Sequence, residues 1–239
     1  MKLKKIIKII TGTLVFLTLP SLLFFGFLYF KYNEDLPTGV QGTEADALAY
    51  KMLDALNHEA YKNTNYIEWT FKRKHYYKWK KNKSTCDVYW KEYKVSLNLN
   101  DASQNQAFVH SFKVMDDDLS KELIEKARKY FNNDSFWLVA PYKIFDKGTE
   151  RRLVTLENNK KALLVTYTSG GTTPGDSYLW HFDKNGKPTS FQMWVDILPI
   201  DGLTATWNDW VTTESGAQLP SFHEFGVFNL EISHIKGTK

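Results

Sequence analysis

Cysteine is nearly absent from this chain, since Cys86 is the only one in 239 residues. An intramolecular disulfide is therefore excluded, so a domain outside the cytoplasm must be held together by its core alone, which a chain of this length can supply. Cys86 has no partner at CxxC spacing and follows Thr85 in a strand-like run. We interpret it as a buried, unreactive thiol.

Motifs of common catalytic and metal sites are also lacking. The six histidines never occur at H-x-x-x-H or H-E-x-x-H spacing, which excludes the helix of a zinc hydrolase. The G-x-S-x-G elbow of a serine hydrolase does not occur. Three acids, Asp116, Asp117 and Asp118, precede a helical pattern, where the helix dipole favours negative charge. We expect no catalytic residue, no metal site and no cofactor.

A strong positive field is lacking outside the N-terminus. The formal net charge is +4, but five of the 31 basic residues and two of the 27 acidic residues precede residue 41, which leaves 26 basic against 25 acidic residues. A nearly neutral domain does not attract a polyanion over a long range. We therefore expect no nucleic-acid partner, and the sequence indicates no particular protein partner.

The chain does contain a long apolar run near its N-terminus. Ile9–Phe30 is a stretch of 22 uncharged residues, enough to cross a hydrocarbon core of about 30 Å as a helix. Four lysines precede it, whereas Lys31, Glu34 and Asp35 follow, so the positive-inside rule places the N-terminus in the cytoplasm. The alternative is a cleaved signal peptide, whose apolar region is shorter, at roughly 7–15 residues. We interpret the run as an uncleaved single-pass anchor in the cell membrane.

This pattern divides the chain into three regions. Residues 1–32 form the cytoplasmic N-terminus and transmembrane anchor, residues 33–42 a polar linker, and residues 43–239 an extracytoplasmic domain, periplasmic if the cell has an outer membrane. The domain begins with a predicted helix that is capped by Thr43 and continues at helical spacing to Ala60.

A second helix is predicted over 116–134, where acids come first and bases toward the end. The apolar segment Ser135–Gly148 follows it. Pro141 argues against a long helix or a central strand there, so we interpret this segment as a connector.

Short runs rich in Val, Thr, Tyr, Phe and Trp predict eleven antiparallel strands. They lie near 65–72, 75–81, 85–90, 92–99, 107–113, 151–158, 161–168, 177–183, 188–196, 203–212 and 227–235. Turn signals separate them, among them ESGAQLPS at 214–221. Alternation places Tyr178 and Trp180 on one face of a strand, and Phe191 and Met193 on one face of the next. The fold class is α+β, with a large antiparallel sheet that must curl or close and helices on one face.

The order of elements resembles a known superfamily. An export or membrane segment, an amphipathic helix, a strand meander, a middle helix with the FWL connector and a second meander resemble the lipoprotein-carrier (LolA/LolB-like) half-barrel superfamily. The resemblance spans residues 43–239 and implies a half-barrel of about 11 strands around an apolar cavity that holds acyl chains. ADALAYKMLDAL, FWLVAPYKIFDKG and TPGDSYLWHFDKNGKPTSF also resemble an uncharacterised bacterial family of anchored or exported proteins, which implies no activity. An uncleaved anchor departs from a soluble carrier, because it prevents shuttling between membranes.

Aromatic residues supply the main candidate site. All eight tryptophans lie after residue 42. Core packing explains such residues, and so does a pocket for an apolar or ring-bearing ligand such as a lipid or glycan. The residues that we expect to line the cavity are Trp69, Tyr77, Trp79, Trp90, Tyr178, Trp180 and Trp194.

A basic and aromatic run, KRKHYYKWKKNK at Lys72–Lys83, supplies a second candidate. It is typical of a solvated outer strand face, and it also suits contact with anionic lipid headgroups. The residues that we expect to contact the membrane surface are Lys72, Arg73, Lys74, Lys78, Lys80 and Lys81.

The glycine-rich segment TSGGTTPGDSYLWHF at 168–182 suggests a phosphate-binding loop at first sight. Such a loop leads into a helix, whereas Ser177–Phe182 alternates like a strand, so the context excludes this interpretation. We expect a wide hairpin loop that lies at the rim of any cavity.

The sequence therefore favours a membrane-anchored extracytoplasmic binding protein for an apolar ligand, such as a lipid or a lipoprotein acyl chain, without covalent catalysis. Two alternatives stay open: a cell-envelope hydrolase, and an envelope scaffold or interaction module.

Overall fold

The structure, a computed structural model, describes residues 2–170 and 173–239. It begins with helix α1 (Lys2–Tyr32), which contains Pro20. The segment Leu3–Tyr32 has a mean hydropathy of 2.0 and none of it is buried. A helix of this length and composition is compatible with a membrane anchor or with a signal sequence.

Two short helices follow, α2 (Thr43–Ala55) and α3 (His58–Lys62). The prediction of a Thr43 cap is wrong, because Thr43 is itself the first helical residue and the preceding Gly42 offers no side chain. The predicted continuous helix is interrupted at Asn57, whose φ of 56° is left-handed and ends the helical hydrogen-bond ladder.

Helix α4 (Asp117–Val139) is longer than predicted. It continues through the first five residues of the segment that was expected to be a connector and ends two residues before Pro141, which lies in a 3-10 turn, Ala140–Lys143. Proline is tolerated in the first turn of a helix, because its missing N–H is not needed there. Asp116 accepts a hydrogen bond from the Leu119 amide and caps α4, as the acidic run suggests.

The domain contains fourteen strands in the described residues. They are β1 (Tyr66–Phe71), β2 (His75–Lys80), β3 (Thr85–Trp90), β4 (Tyr93–Asn98), β5 (Gln106–Val109), β6 (Phe112–Lys113), β7 (Thr149–Thr155), β8 (Lys161–Tyr167), β9 (Ser177–Phe182), β10 (Pro188–Trp194), β11 (Leu203–Thr206), β12 (Asn208–Thr212), β13 (Gln218–Phe225) and β14 (Phe228–Thr238).

These strands form one antiparallel sheet in the order β6-β5-β4-β3-β2-β1-β14-β13-β11-β10-β9-β8-β7, and β12 pairs with β13 beside this path. The last strand joins the two meanders, because β14 pairs with β1 on one side and with β13 on the other. Strands β6 and β7 are the two edges, so the sheet of the described residues is open. This architecture confirms the predicted α+β class and is consistent with a half-barrel.

The prediction of eleven strands is wrong in three places. Residues 107–113 form two strands around a tight turn, and residues 203–212 are divided between β11 and β12. The sequence predicts no strand at β13, because ESGAQLPS at 214–221 is typical of a turn. Proline fits there because Pro220 pairs with Trp210 of β12, whereas the pairing with β14 begins only at Phe222.

One face of the sheet carries the main core, and we call it the inner face. It is covered by α2 and α4, and its fully buried side chains include Trp69, Tyr77, Trp180 and Phe191. The opposite, outer face has a small separate cluster on β7–β10.

The segment predicted as a linker, 33–42, lies against this outer face. Val40 and Leu153 of β7 exchange backbone hydrogen bonds of 3.0 and 2.8 Å. The Glu34 amide donates to the Asp201 carbonyl oxygen at 3.1 Å, and the Asp201 amide donates to Asn33 Oδ1 at 2.9 Å. The chain is therefore attached to the domain from the first residue after α1.

Candidate functional site

The inner face carries two groups of aromatic side chains, and α4 contacts both. The first group lies on β1–β3. Trp69 stacks on Tyr77 with ring centroids 4.4 Å apart, and Trp79 meets Phe131 of α4 edge-on at 5.4 Å. Trp90 contacts Tyr130 of α4 at 5.6 Å. Four of the residues expected to line a cavity are thus brought together beneath one helix.

The second group lies on β9–β11. Trp180 stacks on Trp207 with ring centroids 5.2 Å apart, and both lie beside Phe191. Phe136 of α4 covers this group and lies 4.5 Å from the ring of Tyr178. Trp180 and Tyr178, both expected at the site, therefore share the inner face with the first group.

The predicted site residue Trp194 lies elsewhere. Its ring is in the small cluster on the outer face, and its Nε1 donates to the Glu34 carbonyl oxygen at 2.7 Å. Strand alternation is the cause, because Trp194 follows Met193, which points to the inner face. The structure does not bring Trp194 together with the other six predicted residues.

A buried polar cluster attaches α4 to the sheet beside the first aromatic group. Asp134 of α4 is 1% exposed. Its Oδ2 lies 2.7 Å from His75 Nδ1 and accepts a hydrogen bond of 2.5 Å from the Tyr77 hydroxyl. Asn133 donates to Oδ1 at 2.8 Å. We call Asp134, His75 and Tyr77 the helix latch, because they form a polar link that joins the C-terminal part of α4 to β2.

Burial controls the protonation of the groups around α4. It raises the pKa of Tyr77 far above its usual range, and the neighbouring Asp134 carboxylate adds to this effect. Burial also lowers the pKa of His223 to about 4, so this histidine on β13 is neutral near pH 7. Its Nδ1 lies 2.7 Å from the Thr206 carbonyl oxygen, which fixes the ring beside Trp207.

The indole groups of the inner face have an unusual property. Among the described residues, the Nε1 atoms of Trp69, Trp90, Trp180 and Trp207 are buried and have no hydrogen-bond partner. Most buried polar side-chain atoms in proteins do have one, and an unpaired buried donor costs about 1–3 kcal/mol. The inner face therefore offers four indole donors to any group that could reach them.

The basic run is divided between different parts of the sheet. Lys72, Arg73 and Lys74 form the exposed β1–β2 turn, whereas Lys80 and Lys81 lie at the other end of β2. Lys81 is half-buried, with its Nζ 3.7 Å from the centroid of the Tyr61 ring. Burial, with the nearby Lys143 charge, lowers the pKa of Lys81 to about 8.

The glycine-rich segment connects β8 and β9, as predicted for a hairpin, although Gly171 and Thr172 lie outside the described residues. Thr173 donates a hydrogen bond to the Asp176 carboxylate, and the Tyr178 hydroxyl donates to it at 3.3 Å. Burial raises the pKa of Asp176. The loop is thereby attached to an inner-face ring.

Several residues of this region were missed from the sequence, chiefly Tyr130, Phe131, Asp134, Phe136 and Trp207. Four of them belong to α4. A signal for them was present, because Phe131, Ser135 and Leu138 continue the helical spacing of Leu123 and Ala127 past the predicted end of the helix.

Other candidate sites are weak in the part of the chain that the structure describes. It contains no group of three or more His, Cys, Asp or Glu side chains that could hold a metal ion. One shallow surface depression lies beside α2 and α3, lined by Tyr50, Asp54 and His58, and another lies over the outer face of β3 and β4. Neither contains a residue predicted for the site. Cys86 is 1% exposed, and burial raises the pKa of its thiol.

Comparisons with known proteins give little more. No family model and no curated protein sequence matches the chain. A crystal structure of a DUF1329 family protein from Desulfovibrio piger ATCC 29098 is similar, with a TM-score of 0.40 and 9% sequence identity over 81% of this chain and 92% of that chain. A similarity of this strength assigns neither a family nor an activity.

Proposed function

We propose that this protein is a single-pass membrane protein whose extracytoplasmic domain binds an apolar ligand with a polar head, such as a fatty acid or the acyl chain of a lipoprotein, without covalent chemistry. Helix α1 is the anchor, with the N-terminus in the cytoplasm. The ligand lies on the inner face of the sheet, beneath α4.

The observation that carries this proposal is the pairing of apolar rings with free donors on one face. Trp69, Trp90 and Trp180 present rings that suit an alkyl chain, and their buried N–H groups have no partner among the described residues. A carboxylate or ester oxygen accepts hydrogen bonds from such donors and removes the cost of leaving them unpaired. A purely structural aromatic core gains nothing from these unpaired donors.

Access requires α4 to move, because its rings contact those of the inner face. The helix latch suits this requirement. Its two contacts, of 2.7 Å from His75 and 2.5 Å from Tyr77 to Asp134, link the C-terminal part of α4 to β2. Breaking a hydrogen-bonded link costs about 1–3 kcal/mol, as much as exposing about 40–120 Å² of apolar surface, so the rings of α4 must leave the core together with the latch. We expect α4 to separate from the sheet as a unit.

The resemblance to lipoprotein carriers gives the same ligand class. The anchor restricts the source of the ligand, because a protein that stays in the membrane takes its ligand from that membrane or from a partner beside it.

Energy transfer from tryptophan to a dansylated fatty acid, 11-(dansylamino)undecanoic acid, tests the proposal in the full chain. All eight tryptophans lie after residue 42, so dansyl groups that merely dissolve in the detergent around α1 are poor acceptors. We expect saturable transfer that oleate displaces, reduced by Trp180→Phe and unchanged by the outer-face control Trp194→Phe. Transfer that oleate does not displace, or that both variants reduce equally, would contradict a site on the inner face.

One observation favours a second function. His75 Nδ1 lies against the Asp134 carboxylate, an arrangement that orients the other ring nitrogen as a general base of a hydrolase. Hydrolysis of an acyl ester that His75→Gln abolishes would favour this alternative, whereas binding without turnover favours the carrier.

A further inference from the structure

The sheet has two ends that differ in chemistry, and one of them is attached to the residues that follow α1. The connections β1–β2, β3–β4, β5–β6, β8–β9, β10–β11 and β13–β14 all lie at one end of the sheet, which we call the anchor end. The connections β2–β3, β4–β5, β7–β8, β9–β10 and β12–β13 lie at the other, which we call the far end.

The hydrogen bonds between the residues that follow α1 and the β10–β11 loop indicate where the anchor end lies relative to the bilayer. Asn33 is three residues beyond Phe30, the last residue of the uncharged run, so the two lie about 5 Å apart along a helix. The headgroup layer is itself about 5–8 Å thick. Asn33 and Glu34 form hydrogen bonds with the backbone of Asp201 in the β10–β11 loop. This loop therefore lies at the headgroup level if α1 spans the membrane.

Exposed apolar side chains concentrate at the same end. Outside α1, six apolar side chains of the described residues are at least 69% exposed, and four of them belong to the anchor end. Ile197 lies in the β10–β11 loop, Val227 and Phe228 lie in and beside the β13–β14 turn, and Phe112 follows the β5–β6 turn. The turns of the far end expose polar residues instead, among them Asn82, Lys83, Asn158, Lys184 and Glu214.

Basic residues at the anchor end adopt left-handed backbone conformations, which are energetically unfavourable for them. Lys72 and Arg73 in the β1–β2 turn have φ angles of 49° and 56°, and Lys91 in the β3–β4 turn has a φ of 49°. Left-handed turn positions favour glycine or asparagine, and another residue costs about 1–2 kcal/mol there. Four strand spacings, about 19 Å, separate β1 from β10, so these charges and the β10–β11 loop belong to one rim.

We infer that the anchor end is a membrane-docking rim, which inserts Ile197, Val227 and Phe228 among the lipids and holds anionic headgroups with Lys72 and Lys74. Arg73 between them is paired with Glu231, with its Nη2 3.1 Å from Glu231 Oε2. The bilayer that contains α1 is the partner, so the inference rests on the proposed anchoring. Paired apolar and basic side chains are the chemistry by which proteins lie on an anionic membrane surface. The far end, with Lys80 and Lys83, then faces away from the membrane.

Variants of the full chain that each carry one introduced cysteine, reconstituted in vesicles, test the membrane-docking rim. Cys86 is buried, so an introduced cysteine carries the fluorescent label. The rim sites are Ile197→Cys and Val227→Cys. Their matched controls at the far end are Lys184→Cys, at the opposite end of β10, and Glu214→Cys, at the opposite end of β13. We expect a lipid-attached nitroxide quencher to quench the rim labels several-fold more than the control labels. Equal quenching at both ends would overturn the inference.

A label at Leu17→Cys in α1 separates the two proposals. If a quencher deep in the acyl chains quenches this label but the rim labels are not quenched, the proposal of a membrane-docking rim is wrong and the proposal of an anchor stands. Absence of quenching at Leu17→Cys overturns the anchor and the rim together. The fatty-acid assay described above reports on ligand binding independently of both.

The role of Lys72 and Lys74 in binding anionic headgroups is tested with two kinds of vesicle, phosphatidylcholine alone and phosphatidylcholine with phosphatidylglycerol. We expect phosphatidylglycerol to increase quenching at Val227→Cys, and Lys72→Gln/Lys74→Gln to remove this increase. The far-end pair Lys80→Gln/Lys83→Gln is the matched control and leaves the increase in place. An increase that survives Lys72→Gln/Lys74→Gln would show that these lysines do not hold the headgroups.

Discussion

Two tryptophans on neighbouring strands, Trp180 on β9 and Trp194 on β10, show how the two faces of this sheet differ. Trp194 on the outer face is held by a hydrogen bond to the Glu34 carbonyl oxygen. Trp180 on the inner face is fully buried, and its N–H group has no partner among the described residues. The outer face uses its indole to hold the segment that follows helix α1. The inner face leaves four indole N–H groups without a partner among the described residues, and these are the donors that the proposed ligand would use.

The largest expected effect is the loss of the inner ring. Trp180→Ala removes a side chain that is packed on all sides, and we expect it to lower the free energy of unfolding by about 3–5 kcal/mol. The outer-face variant Trp194→Ala loses a ring at the edge of a small cluster and one hydrogen bond. We expect it to lower the free energy of unfolding by about 2 kcal/mol. Denaturant titration of the full chain in mild detergent measures both. Equal losses would contradict a main core on the inner face.

The helix latch gives the next largest effect. Asp134→Ala leaves His75 and the Tyr77 hydroxyl without their acceptor, and we expect a loss of about 3 kcal/mol. Asp134→Asn keeps the shape and one acceptor oxygen and should cost less. Hydrogen exchange of α4 is the sharper measurement, because it should accelerate in Asp134→Ala while exchange of the segment 33–42 on the outer face stays unchanged. Uniform acceleration in both places would mean that the latch stabilises the whole domain and not α4.

The buried His223 predicts how stability depends on pH. Its folded pKa of about 4 lies below the unfolded value of about 6.5, so acid favours the unfolded chain. This stability is fully present above about pH 6.5 and falls as the pH drops toward 4, by about 3 kcal/mol at most. Below pH 4 the folded form is protonated too, and the loss stops growing. Unfolding of wild type and His223→Gln between pH 7 and 4 checks this, and curves of equal slope would contradict it.

The smallest effect is expected for an ion pair on the outer face. Lys236 Nζ lies 3.2 Å from Glu68 Oε1, and the lysine side chain is 65% exposed. Exposed pairs of this kind contribute about 0–1 kcal/mol, because water screens them and two side chains lose freedom. We therefore expect Lys236→Gln to change the free energy of unfolding by less than about 1 kcal/mol. A loss as large as that of Asp134→Ala would mean that the outer face also depends on buried charge.

Much of the fold could be predicted because alternation and apolar runs are local signals. The meanders, the class of the sheet and the N-terminal helix follow from them. Two prolines lie in segments that misled the prediction. Pro141 argues against a long helix, and Pro220 belongs to ESGAQLPS, which is typical of a turn. Both lie where no N–H is needed, and only the neighbouring elements reveal this.

The candidate site shows the same limit. Alternation along β10 could have placed Trp194 opposite to Met193 and so removed it from the group. The contact of Asp134 with His75 could not be predicted, because the two are 59 residues apart and meet only when α4 lies on the sheet. The unpartnered indoles are likewise a property of packing and not of sequence.

Photochemical labelling with a diazirine fatty acid tests the central proposal most directly. The full chain in vesicles is irradiated with the probe, and the modified residues are mapped by mass spectrometry. Labelling of α1 is expected in any case from probe dissolved in the bilayer. The account predicts additional labelling of α4 and of the inner-face residues of β1, β2 and β9, which excess oleate suppresses. Labelling confined to α1 and the rim would contradict a ligand site on the inner face.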